Sequence, residues 1–382
     1  MPATTRPAPE LTDLAARRFP LLPRSKPLCR SLPERVERVR QNAETAQHHR
    51  SIDHAAKALN LAALIYSDCA MPDAARALCW RQFETFTGGG PYDEPTAKTA
   101  IQPLINIGRL HTRAGNGTAA YHVHKATFEA ARHNNPTTID GRTVDLGAIA
   151  RPGNARRALV EALWMVLLSD GLRALCRAGR WDQAQQQARA HHGIGDRLLD
   201  GRQIAIIAAA TSGGHREART LIDTAVVTDP WELCVAACLS VLAGRFAGAD
   251  INEDVDTMLC AYDALDAPPE HTVFLMRAGL TVIALAGNHD TQAVVAKIEQ
   301  IIAGDLDAYP AAELLTQSPA LPLSRNISAA LTETVAAAGL GQTVPADLDA
   351  TLTTAANTAI DTLRQIIAAS SQTAEPATRS CS

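Results

Sequence analysis

Apolar residues recur along most of this chain every three or four positions, which is the spacing of one face of a helix. Ser51 and the Asp229-Pro230 pair stand where helix start signals are expected. No segment combines strict alternation with β-branched residues, so a sheet is not expected. The pattern predicts helices over 34–49, 52–69, 72–86, 97–114, 118–133, 155–178, 181–192, 201–212, 215–227, 230–243, 252–265, 270–286, 290–303, 325–338 and 346–369.

The two ends of the chain lack this periodicity. Residues 1–33 contain seven prolines, a density that predicts an arm without helix. The polar stretch from Ser370 onward predicts a disordered tail. We therefore expect an arm at 1–33, helical repeats at 34–230 with an insertion at 134–154, less regular helical repeats at 231–369, and a tail at 370–382.

The helices repeat a pattern of small residues that would allow an antiparallel helix pair to pack closely. A small or apolar residue is followed after three positions by a residue that is large in most copies, then by a glycine or small residue, and then by alanine. Copies begin 45, 64 and 34 residues apart, and the longer spacings contain the loops 87–97 and 134–154. The copies are Ala63/Tyr66/Ala70/Ala75, Gly108/His111/Gly115/Ala120, Leu172/Leu175/Gly179/Ala184 and Ile206/Ala209/Gly213/Ala218.

This pattern resembles the tetratricopeptide repeat, most clearly in 106–124 and 171–188 and over about 52–230. The chain as a whole is similar to actinobacterial tetratricopeptide-like proteins associated with regulators and peptide natural products. The resemblance implies an all-α solenoid of antiparallel helix pairs. It also implies that residues one and five places after each small position face a concave groove.

Four arginines fall at those groove positions: Arg109 and Arg113 on one helix, and Arg173 and Arg177 on another. Each pair lies one helical turn apart and so shares a helix face. Guanidinium groups bind carboxylates and phosphates through paired hydrogen bonds. Asp68, at an equivalent position, and Gln203 complete the predicted ligand-binding set. The alternative is that the arginines pair with nearby carboxylates or simply solvate the surface.

The insertion at 134–154 is longer than most unstructured connections, which predicts either a flexible loop or a functional one. Asp140 and Arg142 are the candidate residues of a flap over the groove. The Gly193-Ile194-Gly195 turn has no lysine or strand beside it, so it does not fit a nucleotide-binding loop.

The composition and the absence of known motifs argue against several classes of function. The 36 basic and 40 acidic residues give a formal charge of −4, which argues against direct nucleic-acid binding. Apolar runs are far shorter than a membrane span, and no secretory signal is apparent, so we expect no membrane association and a cytoplasmic location.

The eight cysteines are too sparse for a disulfide framework. No metal-ligand, nucleophile or cofactor motif stands out, so we expect neither metal nor cofactor.

These observations predict a non-catalytic scaffold or regulatory adaptor that holds an acidic or carboxylate-bearing peptide or protein segment in an arginine-lined groove. Two alternatives remain open. One is an accessory or catalytic subunit that modifies a ribosomally made peptide, and the other is a peptide-sensing regulator that acts on a separate DNA-binding protein. The sequence also leaves homo-oligomer formation open.

Overall fold

A computed structural model describes residues 9–24, 28–266, 268, 271–303, 307–317 and 324–373, and almost all of its regular structure is helical. This confirms the all-α class. In chain order the elements are α1 (Pro9–Arg18), α2 (Leu32–His49), α3 (Ile52–Asp68), α4 (Pro72–Thr87), α5 (Glu94–Arg113), α6 (Gly117–His133), β1 (Thr137–Ile139), β2 (Arg142–Val144), α7 (Asn154–Val166), a π-helix (Leu167–Gly171), α8 (Leu172–Arg177), α9 (Trp181–Ala190), α10 (Asp200–Thr211), α11 (His215–Asp223), α12 (Pro230–Ala247), α13 (Asn252–Asp263), α14 (Thr272–Ala286), α15 (Gln292–Ile302), α16 (Ala308–Gln317), α17 (Arg325–Ala337) and α18 (Ala346–Thr373).

Local start signals explain several of these boundaries. The Ser51 hydroxyl accepts a hydrogen bond from the backbone N–H of His54 at 3.3 Å, which satisfies a donor left open at the start of α3. At α12, Asp229 and Glu232 form a reciprocal capping box, and Pro230 occupies the first turn. Both starts agree with the sequence prediction.

The chain divides into two compact units, each made from two stretches of sequence. Unit I contains Met1–Cys29 and Leu172–Val335, and unit II contains Arg30–Gly171 and Ala336–Ser382. This division follows packing, whereas the predicted ranges followed the regularity of the repeats, so those ranges stay a prediction.

In unit II, helices adjacent in sequence pack on each other from α2 through α7. The first helices of the predicted pairs also touch, since α3 contacts α5 and α5 contacts α7. Helix α18 packs on α2, α3 and α4, where Leu352, Ile360 and Leu363 are fully buried. Small residues such as Ala58 and Ala62 on α3 allow the close approach.

Unit I follows the same nearest-neighbour rule from α8 through α15. Here α10 contacts both α8 and α12, and α12 contacts α14. Helix α1 packs on α8 and α14, and α16 packs on α14. Helix α1 and the residues just after it, up to Leu21, are therefore part of the core of this unit.

Three predictions of local structure were wrong. The ten-residue run from Pro9 to Arg18 forms α1, because no proline interrupts it and a proline suits the first turn of a helix. The insertion contains the hairpin β1–β2, which closes at Asp140 and Gly141 with positive φ angles of 49° and 75°. Helix α16 was not predicted at all.

The chain ends and one long helix complete the comparison with the predictions. Residues 1–8, 25–27 and 374–382, parts of the predicted arm and tail, lie outside the described residues, and α18 continues to Thr373. Within the described part of the chain, α12 alone is long and apolar enough to cross a membrane. Half of it is buried in the structure, and it packs on α10, α11, α13 and α14, as a core helix does.

Candidate ligand-binding faces

Unit II exposes the first predicted arginine pair on α5, and acidic residues from other elements orient both side chains. Arg109 keeps 51% of its side chain exposed, and its Nε and Nη2 atoms both lie 2.8 Å from Asp170 Oδ2. Arg113 is 44% exposed, and its Nη1 donates to Asp68 Oδ1 and Ser67 Oγ, both at 2.7 Å. We call these two arginines the Arg109–Arg113 face. Each guanidinium is thus held in place while a large part of it still meets solvent.

Asp68 acts as a support beneath this face. Only 4% of its side chain is exposed, and its two oxygens bind different arginines: Oδ1 accepts from Arg113 and Oδ2 from Arg35. Arg35 is itself 8% exposed and donates to the carbonyl oxygen of Ala338 at 3.3 Å. The structure therefore gives Asp68 a positioning role, and direct contact of Asp68 with a ligand stays a prediction.

Two asparagines extend the polar contacts across α3 and α5. Arg109 Nη1 donates to Asn106 Oδ1 at 3.3 Å, and Asn106 Nδ2 donates to Asn60 Oδ1 at 3.1 Å. Asp170, which binds Arg109 from the other side, belongs to the π-helix that follows α7. A π-turn adds a residue to a helix and changes which side chains share a face.

His124 is buried near the Arg109–Asp170 pair. It is 2% exposed, and its Nε2 atom has no hydrogen-bond partner among the described residues. Burial lowers its pKa to about 4; Asp170 opposes this shift, and the charges of Arg109 and His111 add to it. The imidazole is therefore neutral at pH 7.

The hairpin in the insertion is fixed to unit II by both candidate flap residues. Asp140 Oδ1 lies 2.9 Å from His111 Nε2, and Asp140 Oδ2 accepts from Arg76 Nη1 at 3.0 Å. Arg142 pairs with Glu84 and lies 4.9 Å above the ring of Trp80.

These contacts place the hairpin on α4 and on one side of α5. His111 is two residues from Arg109 and from Arg113, so it occupies a different face of α5. The anchoring contacts are thus not on the Arg109–Arg113 face. Closure of this segment over a ligand stays a prediction.

In unit I, the second arginine pair lies on α8 beside the N-terminal segment. Arg173 Nη2 is 3.5 Å from Asp200 Oδ1, and Arg24 Nη2 is 2.5 Å from the other oxygen of the same carboxylate. Arg177 is exposed at the end of α8. Because the two arginine pairs belong to different units, their meeting in one groove stays a prediction.

Gln203 is fully buried in α10, where it binds the backbone of the N-terminal segment. Its Oε1 accepts from Leu21 N at 2.8 Å, and its Nε2 donates to Leu21 O at 3.0 Å and to Leu198 O at 2.7 Å. Gln203, which was predicted to bind a ligand, thus binds the backbone of Leu21 in the same chain. Binding of an external ligand by Gln203 stays a prediction.

Sequence reasoning missed the partners of the predicted arginines. Asp170 was hidden inside a predicted continuous helix, and nothing local indicated the π-turn. In unit I it missed Arg277, a lone cation in the apolar helix α14, and Glu313, which lies 3.3 Å from Arg277 Nε. The isolated charge in an apolar helix was the one available signal.

The cysteines of the described residues are free thiols. Cys29, Cys69, Cys79, Cys176, Cys234 and Cys238 are buried free thiols, and Cys260 is an exposed one. Within the described ranges, no three His, Cys, Asp or Glu side chains come together in a way that could hold a metal ion.

Comparisons of the chain with models of known protein families, with curated proteins and with solved structures found no match.

Proposed function

We propose that this protein is a tetratricopeptide-like, non-catalytic scaffold that binds an acidic or carboxylate-bearing peptide segment through the Arg109–Arg113 face. In this proposal the helix pairs form a solenoid, with the first helix of each pair lining the concave side. The contacts of α3 with α5 and of α5 with α7 support this arrangement.

The observation that carries the proposal is the way in which the two arginines are held. Each is 44–51% exposed, and each is bound by an acid from a different element. Among the described residues, Arg113 Nε and Nη2 make no hydrogen bond. A ligand carboxylate could bind these two donors without displacing an acceptor of the protein. An arginine fixed before binding loses less conformational entropy when it forms hydrogen bonds with a carboxylate.

The contacts of Leu21 support a polypeptide as the ligand. The side chain of Gln203 on α10 binds both the N–H and the C=O of Leu21 in a segment that lies outside the helices. A side chain of α10, the first helix of a predicted pair, can thus form hydrogen bonds with the backbone of a non-helical segment. Buried free thiols fit a reducing compartment, and we therefore propose a cytoplasmic location.

The test is a binding measurement on the full chain with a fluorescent peptide library. The library contains nonapeptides that are acidic or neutral, each with a free or an amidated C-terminus. We expect acidic or free-carboxylate members to bind, with affinity that falls as salt rises. The double variant Arg109→Gln/Arg113→Gln should lose about tenfold in affinity or more, as expected when charge-assisted hydrogen bonds are removed.

The matched control is Arg40→Gln/Arg364→Gln, which makes the same charge change at exposed, ion-paired arginines of unit II. This control should bind within about twofold of the parent protein, since it removes charges on α2 and α18 and leaves both arginines of α5 in place. Equal losses in the two double variants, or no selective binding of acidic peptides, would overturn the proposal. Mass spectrometry of the bound peptides, unchanged in mass, would separate a scaffold from a modifying enzyme.

A further inference from the structure

Unit I gathers several arginines around one carboxylate where α1, α8, α14 and α16 meet. Arg18 Nη1, at the end of α1, donates to Glu313 Oε1 at 3.1 Å. Arg277 Nε of α14 lies 3.3 Å from the same oxygen, and its Nη2 donates to the carbonyl oxygen of Arg17 at 3.3 Å. Arg177, the last residue of α8, is close enough for its charge to interact with those of Arg277 and Glu313. We call Arg18, Arg177, Arg277 and Glu313 the Glu313 cluster.

The positive charge of the Glu313 cluster is only partly compensated inside the unit. Arg18 and Arg277 pair with the one carboxylate, and Arg177 lies near it without pairing. The cluster of three cations and one anion therefore carries a net charge of about +2, and Arg17 adds a further cation nearby. Among the described residues, Arg177 makes no hydrogen bond or ion pair, and none of these contacts adds a second carboxylate. Like charges this close repel one another, and partial burial weakens the screening by solvent.

Burial of Arg18 makes the excess positive charge of the Glu313 cluster destabilising. Arg18 is 4% exposed, and its Nε atom is buried without any hydrogen-bond partner in the described part of the chain. Burial lowers the pKa of Arg18; Glu313 opposes the shift, and the other arginines add to it. Burial among these side chains also lowers the pKa of Arg177, although the residue keeps an exposed edge at the surface. A buried donor with no acceptor is a group that an anion would satisfy.

We propose that the Glu313 cluster is a binding site for a phosphoryl group. A phosphate dianion matches the net charge of about +2, whereas a single carboxylate would leave one positive charge uncompensated. Guanidinium groups also match phosphate oxygens geometrically through paired N–H donors. Arg177 is exposed and the side chain of Glu313 is 27% exposed, so the Glu313 cluster meets solvent on at least one side although Arg18 is buried.

This inference goes beyond the proposed function, because it concerns unit I and would stand if the Arg109–Arg113 face bound nothing. Two sources share the same chemistry: free inorganic phosphate and a phosphorylated peptide. The experiment therefore uses both, as inorganic phosphate and as a phosphoserine nonapeptide with its unphosphorylated counterpart.

The test is isothermal titration calorimetry of the full chain at constant ionic strength, with chloride as the reference anion. We expect saturable phosphate binding, and stronger binding of the phosphoserine peptide than of its counterpart if a peptide is the source. Arg177→Gln should weaken binding at least tenfold, since the exposed arm of the site is removed. Glu313→Gln should tighten binding, because it removes the competing negative charge.

The matched control is Arg189→Gln, an exposed arginine of unit I that pairs with Glu217. This control and Arg109→Gln/Arg113→Gln should both bind phosphate like the parent protein, which separates this proposal from that for the Arg109–Arg113 face. Thermal unfolding with and without phosphate checks that each variant is folded. The proposal is overturned by the absence of saturable binding, or by equal binding in the parent, Arg177→Gln and Arg189→Gln proteins.

Discussion

Gly108 leaves the space in which the imidazole ring of His124 lies. A Cβ atom added to Gly108 would stand 2.4 Å from His124 Cε1 and 2.5 Å from Nε2, closer than any real contact allows. Helix α5 therefore approaches α6 more closely at this point than a residue with a side chain would permit. Gly108 lies within a regular helix, so its backbone conformation does not require a glycine. The requirement comes from the packing against His124.

We expect Gly108→Ala to destabilise the protein by about 1–3 kcal/mol, the usual cost of overpacking a buried contact. The loss should appear even though alanine favours helix by about 1 kcal/mol over glycine. Chemical denaturation followed by circular dichroism measures it. Gly195→Ala is the control, because an added Cβ there meets no atom within 4 Å. Equal stability of the two variants would contradict the packing argument.

His124 predicts a loss of stability at acidic pH. Burial lowers its pKa from 6.5 to about 4, so between these values the unfolded chain binds a proton that the folded protein does not. The stabilisation is complete above about pH 6.5 and is lost as the pH falls towards 4, by about 3 kcal/mol in total. The free energy of unfolding should be measured at pH 7.5 and pH 4.5.

The control for this effect is His124→Gln, which cannot titrate in the same range. Other ionisable groups contribute equally to both proteins, so the difference between them isolates the histidine. We expect the stability advantage of the parent protein to shrink by about 2–3 kcal/mol at the lower pH. A difference that does not change with pH would show that the imidazole is already solvated in the folded state.

Two buried glutamines should respond differently to the same substitution. Gln203→Leu leaves the N–H and C=O of Leu21 and the C=O of Leu198 without partners, which should cost about 2–4 kcal/mol. Gln82 on α4 is equally buried, but neither polar atom of its amide has a partner in the described residues. Gln82→Leu should therefore leave stability unchanged or raise it.

Urea denaturation of both variants checks this contrast. Hydrogen exchange adds a local measurement, since the Leu21 amide should lose its protection in Gln203→Leu and keep it in Gln82→Leu. Comparable destabilisation by both substitutions would mean that the amide hydrogen bonds of Gln203 contribute little to holding the N-terminal segment.

The hairpin of the insertion should loosen without unfolding the unit that carries it. Asp140→Ala removes the contacts to Arg76 and His111, which are partly exposed and worth about 1 kcal/mol or less. We expect faster hydrogen exchange over 137–144 and little change in global stability. Thr138→Ala, an exposed hairpin position, should exchange like the parent protein. Unchanged exchange in Asp140→Ala would show that the contacts of Arg142 with Glu84 and Trp80 hold the hairpin without Asp140.

Local signals explain why most helices could be predicted from the sequence. Ser51 and Asp229 stand in capping contacts within three residues of the helix start, so the signals for the starts of α3 and α12 are local in sequence, although Arg197 also pairs with Asp229 and Glu232. The hairpin was missed because its strands are three residues long, too short for alternation to register, although Asp140-Gly141 is a strong turn signal. Helix α1 was not predicted because the proline density of residues 1–33 was taken as a whole, although six of the seven prolines lie outside Pro9–Arg18 and the seventh begins the helix.

The exposure of Arg109 and Arg113 could be predicted from the sequence, but the residues that pair with them could not. The repeat register identified Arg109 and Arg113 as residues of one helix face, and they are exposed. Their supports depend on tertiary structure: Asp170 reaches Arg109 from a π-turn 61 residues away in sequence. Arg18 and Glu313 are 295 residues apart, so only the fold brings them together.

The discontinuous composition of unit II has a consequence for its synthesis. Helices α2 and α3 leave the ribosome early, but α18, which covers them, begins only at Ala346. At about 5–20 residues per second, the nascent chain would carry these uncovered apolar faces for roughly 15–60 s. Throughout this interval the growing polypeptide offers a surface to chaperones, and to aggregation, that the finished molecule conceals.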